Sequence, residues 1–374
     1  MSKYAAYLFI IVVSSASGFE TGIPADTAAD SSTGNEIDYH FLNPVKYGSA
    51  SLTTPLRLIL NGGYGITQLD NVDNHIMDFQ YQKGIDNIRY NLEHPFEAIE
   101  KMGWNDFLLQ EVIPFGVDSE KAQYWPNYLN HLIGGGMSYR LMVEWFDHHE
   151  YPMPTLWGIG TITIYHLLNE VVENGAYNGP NTDAIADLYI FNPLGMVLFS
   201  FEPVCRFFGS TLNMADWSYQ VSFNPWNKTI ANNGQNFVVK YPLPWWDRWS
   251  LFYHWGTHGE FGVSHRRDDG STFSFGMGLK ASDLVDLTEG VRTVKLVGTA
   301  GFFYDRNNSL LMSVLFSQSK RDRMRINLYP GLVEIGSWKP GFFMAVDQDY
   351  EVTAGLELNV LHLPFGIAMN AEGG

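Results

Sequence analysis

The hydrophobic pattern of this chain changes period part-way along its 374 residues. From about Pro95 to Phe201 apolar residues recur with helical spacing. From about Trp217 to Met369 they alternate with polar ones. The order predicts an α+β protein: a helical module over 95–201, then an antiparallel β-barrel over 217–370. Phe273, Phe275, Met277 and Leu279 alternate with Ser274, Gly276, Gly278 and Lys280. Met324, Ile326 and Leu328 alternate with Arg323, Arg325 and Asn327, and the run from Glu351 to Val360 behaves in the same way. Such strands bury one face only. A soluble sandwich or lipocalin-like barrel, periplasmic or extracellular, turns the apolar face inward, and a membrane barrel turns it toward lipid. Three features favour the membrane-embedded form. Aromatic residues make up 15% of the chain, enough for interfacial girdles. Tyr241, Trp245, Trp246, Trp249, Phe252, Tyr253 and Trp255 crowd one hairpin region. The polar face carries Ser274, Gly276, Gly278 and Gly355, where a soluble surface favours Lys and Glu. On this reading Arg323, Arg325, Glu357 and Asn359 face a lumen. The tail Ala371-Glu372-Gly373-Gly374 weighs the other way, since many outer-membrane barrels end on an aromatic residue.

The first 18 residues have the form of a secretory signal peptide: Lys3, an apolar run from Ala5 to Val13, then Ala16-Ser17-Gly18. Residues 19–50 are expected to be a flexible mature N-terminus. Residues 51–94 are ambiguous, with Pro55 and Gly62-Gly63 interrupting what could be a strand. The formal net charge of -17 has the wrong sign for a nucleic-acid partner. Cys205 is the single cysteine, so neither an internal disulfide nor a cysteine-based zinc site can form, which suits a bacterial envelope protein. Its neighbours Val204, Phe207 and Phe208 point to a buried structural role. Asn227-Lys228-Thr229 and Asn307-Asn308-Ser309 match the glycosylation sequon, a short motif of little weight in bacteria. Leu156–Val172 and Ala184–Phe201 are too interrupted by polar residues to be simple membrane-spanning helices.

Polar groups stand where apolar helix faces are expected. Predicted helices run from Pro95 to about Glu111, Pro126 to about Asp147, Thr155 to about Asn174, and Asp183 to Asn192-Pro193. If the second and third form a hairpin about Glu150-Tyr151, His131 lies level with Glu170 and Gly135 level with His166. Three glycines in a row, Gly134, Gly135 and Gly136, cost a helix on the order of 3 kcal/mol against alanines. Their presence suggests that other backbones approach closely. His166, Glu170 and Glu173 share one stripe. His131, His166, Glu170 and Asp187 form a candidate catalytic core, in which a carboxylate orients a histidine base. Two histidines and a carboxylate also form a known zinc set, so a divalent metal is conceivable although no cofactor is expected. Arg140 lies on the opposite face from His131 and needs its own carboxylate, Glu144 or one from another helix. Asp183 suits a helix cap. The favoured use of the cluster is structural: His131, Arg140, His166, Glu170 and Asp187 hold the helices together, with Arg140, Glu144, Glu173 and Asp183 as ion-pair residues.

The order of segments resembles an uncharacterised family of bacterial envelope proteins, a domain of unknown function. The residues that carry it are Asn91-Leu92-Glu93-His94-Pro95, His131 with Gly134-Gly135-Gly136 and Tyr139-Arg140, Glu170 to Asn174, Asp183 to Asp187, and Phe191-Asn192-Pro193-Leu194-Gly195. It covers roughly residues 91–225. The resemblance implies export and association with the outer membrane, and it brings no catalytic residues. The expected protein is therefore an exported outer-membrane barrel with a helical module and the lipid bilayer as its partner. An envelope lipid or glycan hydrolase using the His/carboxylate site is the alternative, and a pore or small-solute binder a further one.

Overall fold

The long alternating half of the chain folds into one sheet. In the computed structural model, which describes residues 37–113, 125–175, 182–288, 291–360 and 363–371, thirteen strands are hydrogen-bonded in a single order, β1-β4-β5-β6-β7-β8-β9-β10-β11-β12-β13-β2-β3. They are β1 (Ala215–Asp216), β2 (Ser222–Asn224), β3 (Thr229–Ala231), β4 (Phe237–Pro242), β5 (Trp249–Trp255), β6 (His258–Arg266), β7 (Ser271–Thr288), β8 (Val291–Arg306), β9 (Ser309–Ser317), β10 (Met324–Leu328), β11 (Gly341–Val346), β12 (Val352–Val360) and β13 (Leu363–Ala371). Neighbours pair antiparallel except β13 and β2, which pair in parallel at Gly366 and Ile367. The fold is thus α+β with a mostly antiparallel sheet. The signal-peptide reading of residues 1–18 lies outside the described residues, as do residues 19–36 of the expected flexible N-terminus.

The expected closed barrel is not formed by strand pairing, because β1 and β3 end the sheet and share no ladder. The reason lies in the stretch 215–224. Trp217 N–H donates to the Asn236 carbonyl at 2.9 Å and Tyr219 N–H to Gly234 at 3.0 Å, beside β4, while Gly366 N–H donates from β13 to the Val221 carbonyl at 3.1 Å. One segment of chain therefore lends its backbone to both sides, and edge groups that would otherwise stand unpaired are used.

The two faces of the sheet are inverted relative to a water-soluble one. Phe261, Val263, Phe273, Met277, Leu279, Phe302, Phe316 and Met369 are exposed, Phe261 by 63% and Met277 by 58%. Glu260, Ser264, Ser274, Lys280, Asp305, Ser313, Arg325, Asn327 and Glu357 are buried, Glu260 and Asp305 completely. Buried charges are tolerable when they are paired. Lys240 Nζ donates to both oxygens of Asp305 at 2.9 Å. Asp322 receives Lys280 at 3.0 Å and Arg325 at 2.6 Å. Asn232 bridges Asn327 at 2.9 Å and Arg325 at 3.1 Å. An aromatic cluster of Trp217, Tyr219, Phe252, Phe303 and Tyr329 with Leu52 fills space beside this network. Of the four residues expected to face a lumen, Arg325 and Glu357 are buried. Arg323, immediately before β10, is exposed. The side chain of Asn359 falls outside those described.

Helices α1 (Pro55–Gly63), α2 (Tyr81–Glu93), α3 (Pro95–Met102), α4 (Trp104–Phe107), α5 (Gly135–His148), α6 (Pro154–Asn174), α7 (Asp183–Ala186), α8 (Asn192–Leu198) and α9 (Glu202–Arg206) precede the sheet. Several are joined by wider π-helical turns, notably Trp125–Gly134 before α5 and Asp187–Phe191 between α7 and α8. The ambiguous segment 51–94 is helical over α1 and α2. Pro55, taken as a strand breaker, occupies the first turn of α1, and Thr54 caps it by accepting the Arg57 N–H at 3.2 Å. Gly62 and Gly63 give way to the rings and methyls of Tyr165 and Leu168. Arg57 is buried and binds the carbonyls of Ser49, Ser218 and Tyr219, with Asp216 3.5 Å away. Residues 40–50 are likewise held by the rest of the chain. Glu144 accepts the N–H groups of His40, Phe41 and Leu42 at 2.7–3.0 Å, and Gly48 N–H binds the Pro330 carbonyl. A fully buried carboxylate finds its compensation in backbone donors as well as in Arg140.

Candidate functional site

The glycine triplet lets three partners reach one stretch of helix. A side chain at Gly134 would strike the ring of Phe237 on β4. One at Gly135 would come within 3.3 Å of His166 Nε2 on α6, and one at Gly136 would strike Phe199 and lie 2.7 Å from the Gly195 carbonyl on α8. The expected juxtaposition of Gly135 and His166 is therefore present. The His131 and His166 rings lie 5.1 Å apart.

His131 is buried and bridges two groups from the α7–α8 region. Its Nδ1 lies 3.2 Å from Asn192 Oδ1 and its Nε2 3.1 Å from Asp187 Oδ2. An amide oxygen only accepts, so Nδ1 carries a proton. Burial pushes His131 down to about 4, with the Asn192 hydrogen bond opposing. Asp187 is pushed well up, first by burial and then by the carboxylates of Asp183, Glu170, Glu111 and Glu173. Both directions favour a neutral pair, with the Asp187 hydroxyl donating to His131 Nε2. Glu111 is pushed up by burial and by Asp183 beside it.

His166 is held below its ordinary value by burial and by His131, and neither ring nitrogen has a hydrogen-bond partner among the described residues. It stacks on Tyr165 with centroids 4.0 Å apart. Glu170, one turn on, accepts the Asn174 amide at 3.3 Å. Glu173 and Asp183 enter through their charge on Asp187. Asp183 begins the first turn of α7, where Thr182 holds the capping position, so it is not itself the cap. Arg140 belongs to a different group: it binds Glu144 at 3.0 Å and Glu202 at 3.2 Å, and Glu202 also binds His40. Cys205 is buried there, its thiol donating to the Phe199 carbonyl at 3.0 Å.

The structure thus brings His131, His166 and Asp187 together with Glu170 near them, and sets Arg140 apart. Glu111 and Asn192 belong to the same group although the sequence reading did not include them. Asn192 was masked by its role as a helix stop before Pro193, and Glu111 by lying at the end of a predicted helix. A second buried group, His254, His258 and Glu260 in the sheet, also went unnoticed. All three occupy the even positions that the alternation assigns to the polar face, and that parity was the available signal.

Comparison with models of known protein families, with curated proteins and with solved structures finds no match to this chain. What the chain itself defines is an α+β protein with an inverted sheet and a buried histidine–carboxylate cluster among its helices.

Proposed function

We propose that this is an exported bacterial outer-membrane protein whose sheet sits in the bilayer, with the helical cluster serving mainly to hold the helices together. The observation that carries the proposal is the inverted sheet. Apolar side chains outside and paired charges inside minimise free energy when the surroundings are lipid, and raise it when they are water. Trp245, Trp246, Trp249 and Tyr241 are exposed around the β4–β5 connection, as an interfacial girdle requires. Helix α6 exposes Leu156, Trp157, Ile159, Ile164 and Leu167, extending the apolar surface beyond the sheet. The resemblance to an uncharacterised envelope family points the same way.

Charge substitution on the outer face tests this. Met277→Arg should cost about 2–4 kcal/mol if it meets the bilayer midplane and should sharply reduce the folded protein recovered in the membrane fraction. In a water-exposed sheet the same change costs about 0.5 kcal/mol or less. Normal assembly of the variant, with a wild type soluble without detergent, would overturn the proposal.

A lipid or glycan hydrolase is the second reading, supported by the two nitrogens of buried His166, which have no partner among the described residues. Its test is turnover of labelled phospholipid or glycan by the wild type, lost in His166→Gln while the fold is kept. A Glu170→Ala variant that keeps its stability and membrane insertion but loses that activity would favour this reading over the structural one.

A further inference from the structure

We infer that His254, His258 and Glu260 form a divalent-metal site inside the sheet, taking a first-row cation such as zinc. The inference depends neither on membrane insertion nor on the helical cluster. The residues lie in the run His254-Trp255-Gly256-Thr257-His258-Gly259-Glu260, which spans the end of β5, a tight connection and the start of β6. His254 and Glu260 are directly opposite in the ladder. His258 is two residues before Glu260, so all three project to the same buried face.

Their ligand atoms converge. His258 Nε2 lies 2.8 Å from His254 Nδ1, which lies 3.2 Å from Glu260 Oε2. All lie within 4.8 Å of one another. Tetrahedral coordination with bonds of about 2.0–2.1 Å places ligands roughly 3.3 Å apart; the His254–Glu260 separation matches this, and His254 and His258 would move apart by about 0.5 Å. Protons alone serve the trio poorly. If His254 Nδ1 carries the hydrogen, it is shared between a carboxylate and an imidazole. If His258 Nε2 carries it, the bare His254 nitrogen faces either a carboxylate lone pair or, from a protonated Glu260, a second hydrogen for its one lone pair. A cation accepts all three lone pairs at once.

The surroundings fit. Thr299 Oγ1 donates to Glu260 Oε1 at 2.9 Å, which orients the carboxylate and leaves Oε2 for the metal. His258 and Glu260, though not His254, border a cavity of about 20 Å³ with Thr299, Lys280 and Arg325, room for one water-sized ligand. Lys280 and Arg325 share Asp322. With neutral imidazoles, those two cations balance Asp322 and Glu260. A divalent ion adds two positive charges, so the fourth position selects an anion such as hydroxide.

The test uses the full chain, purified in mild detergent, stripped with a chelator and titrated with Co²⁺ in place of zinc. One equivalent should bind with the visible absorption of four-coordinate Co²⁺. His258→Gln and Glu260→Gln should weaken binding by about 100-fold or more, and Thr299→Val by roughly 10-fold. His149→Gln, at an exposed histidine, should bind as the wild type does. Absence of stoichiometric uptake by the wild type would overturn the assignment, and so would uptake unchanged by His258→Gln. The wild-type titration decides the matter even where a variant fails to fold.

Discussion

At the scale of single residues, His131 and Asp187 pose a question of proton count. In the folded protein burial holds the His131 imidazole down to about 4 and pushes the Asp187 carboxyl well up, helped by Asp183, Glu170, Glu111 and Glu173. His166 and Tyr165 pack alongside and carry no charge of their own there. Unfolded, the two groups return to ordinary values of 6.5 and 3.8. Between those values folded and unfolded pairs each hold one proton, the first on Asp187 and the second on His131, so the pair contributes no slope to stability. Above 6.5 the unfolded pair loses its last proton while the folded pair keeps it. Stability should therefore fall as pH rises from 6.5 toward the raised value of Asp187. Asp187→Asn keeps a donor toward His131 Nε2 and removes the titration. It should unfold within about 1 kcal/mol of the wild type at pH 6 and show a shallower alkaline slope. Asp187→Ala should cost about 1–3 kcal/mol, because it strands a buried nitrogen. Denaturant unfolding from pH 5 to 9 separates these outcomes; Glu111, also pushed up by burial, contributes a slope of its own, so an alkaline slope as steep in Asp187→Asn as in the wild type would show the neutral pair to be wrong. The sequence could place His131 and Asp187 in one cluster because each interrupts an apolar face. It could not show Asn192 as the second partner, since an asparagine before proline is equally well explained as a helix stop.

At the scale of elements, the glycines decide how the helices meet. Gly136 and Gly195 sit where α5 and α8 cross backbone to backbone, and a Cβ on either meets a carbonyl at 2.7 Å. Gly160 in α6 has nothing among the described residues within 4 Å of where a Cβ would lie. Both Gly136 and Gly160 lie in helices, so alanine brings each a propensity gain of about 1 kcal/mol. Overpacking costs typically 1–3 kcal/mol and opposes that gain only at Gly136. Gly136→Ala should therefore lower the unfolding midpoint and Gly160→Ala should raise it. Equal shifts in the two variants would show that close crossing is not what the triplet serves. Period and glycine content made α5, α6 and the long strands legible beforehand. Helix α1 was not, because Pro55 and Gly62-Gly63 are the same residues whether they break a strand or begin and pack a short helix. Only the neighbours Thr54, Tyr165 and Leu168 distinguish the two, and two of these are remote in sequence.

At the scale of the whole molecule, alternation along β7 and β10 predicted two unlike faces but was silent on which one is buried, since period two is the same either way. The paired interior also bears on whether the molecule conducts. A channel needs polar groups that face water, whereas here Lys240 is closed onto Asp305, Lys280 and Arg325 onto Asp322, and Asn327 onto Asn232 and Ser313 at 3.2 Å. Trp217, Phe252, Phe303 and Tyr329, each at most 2% exposed, occupy the space beside them. Opening a path would strand buried charges, at a cost of about 3–5 kcal/mol for each pair broken. Reconstituted in a planar bilayer, the wild type should give no unitary conductance steps at moderate voltage. Asp305→Ala leaves Lys240 uncompensated and should lower stability without producing a channel. Steady conductance from the wild type would mean that the interior pairs separate in the bilayer, and the filled-interior account would then have to be abandoned.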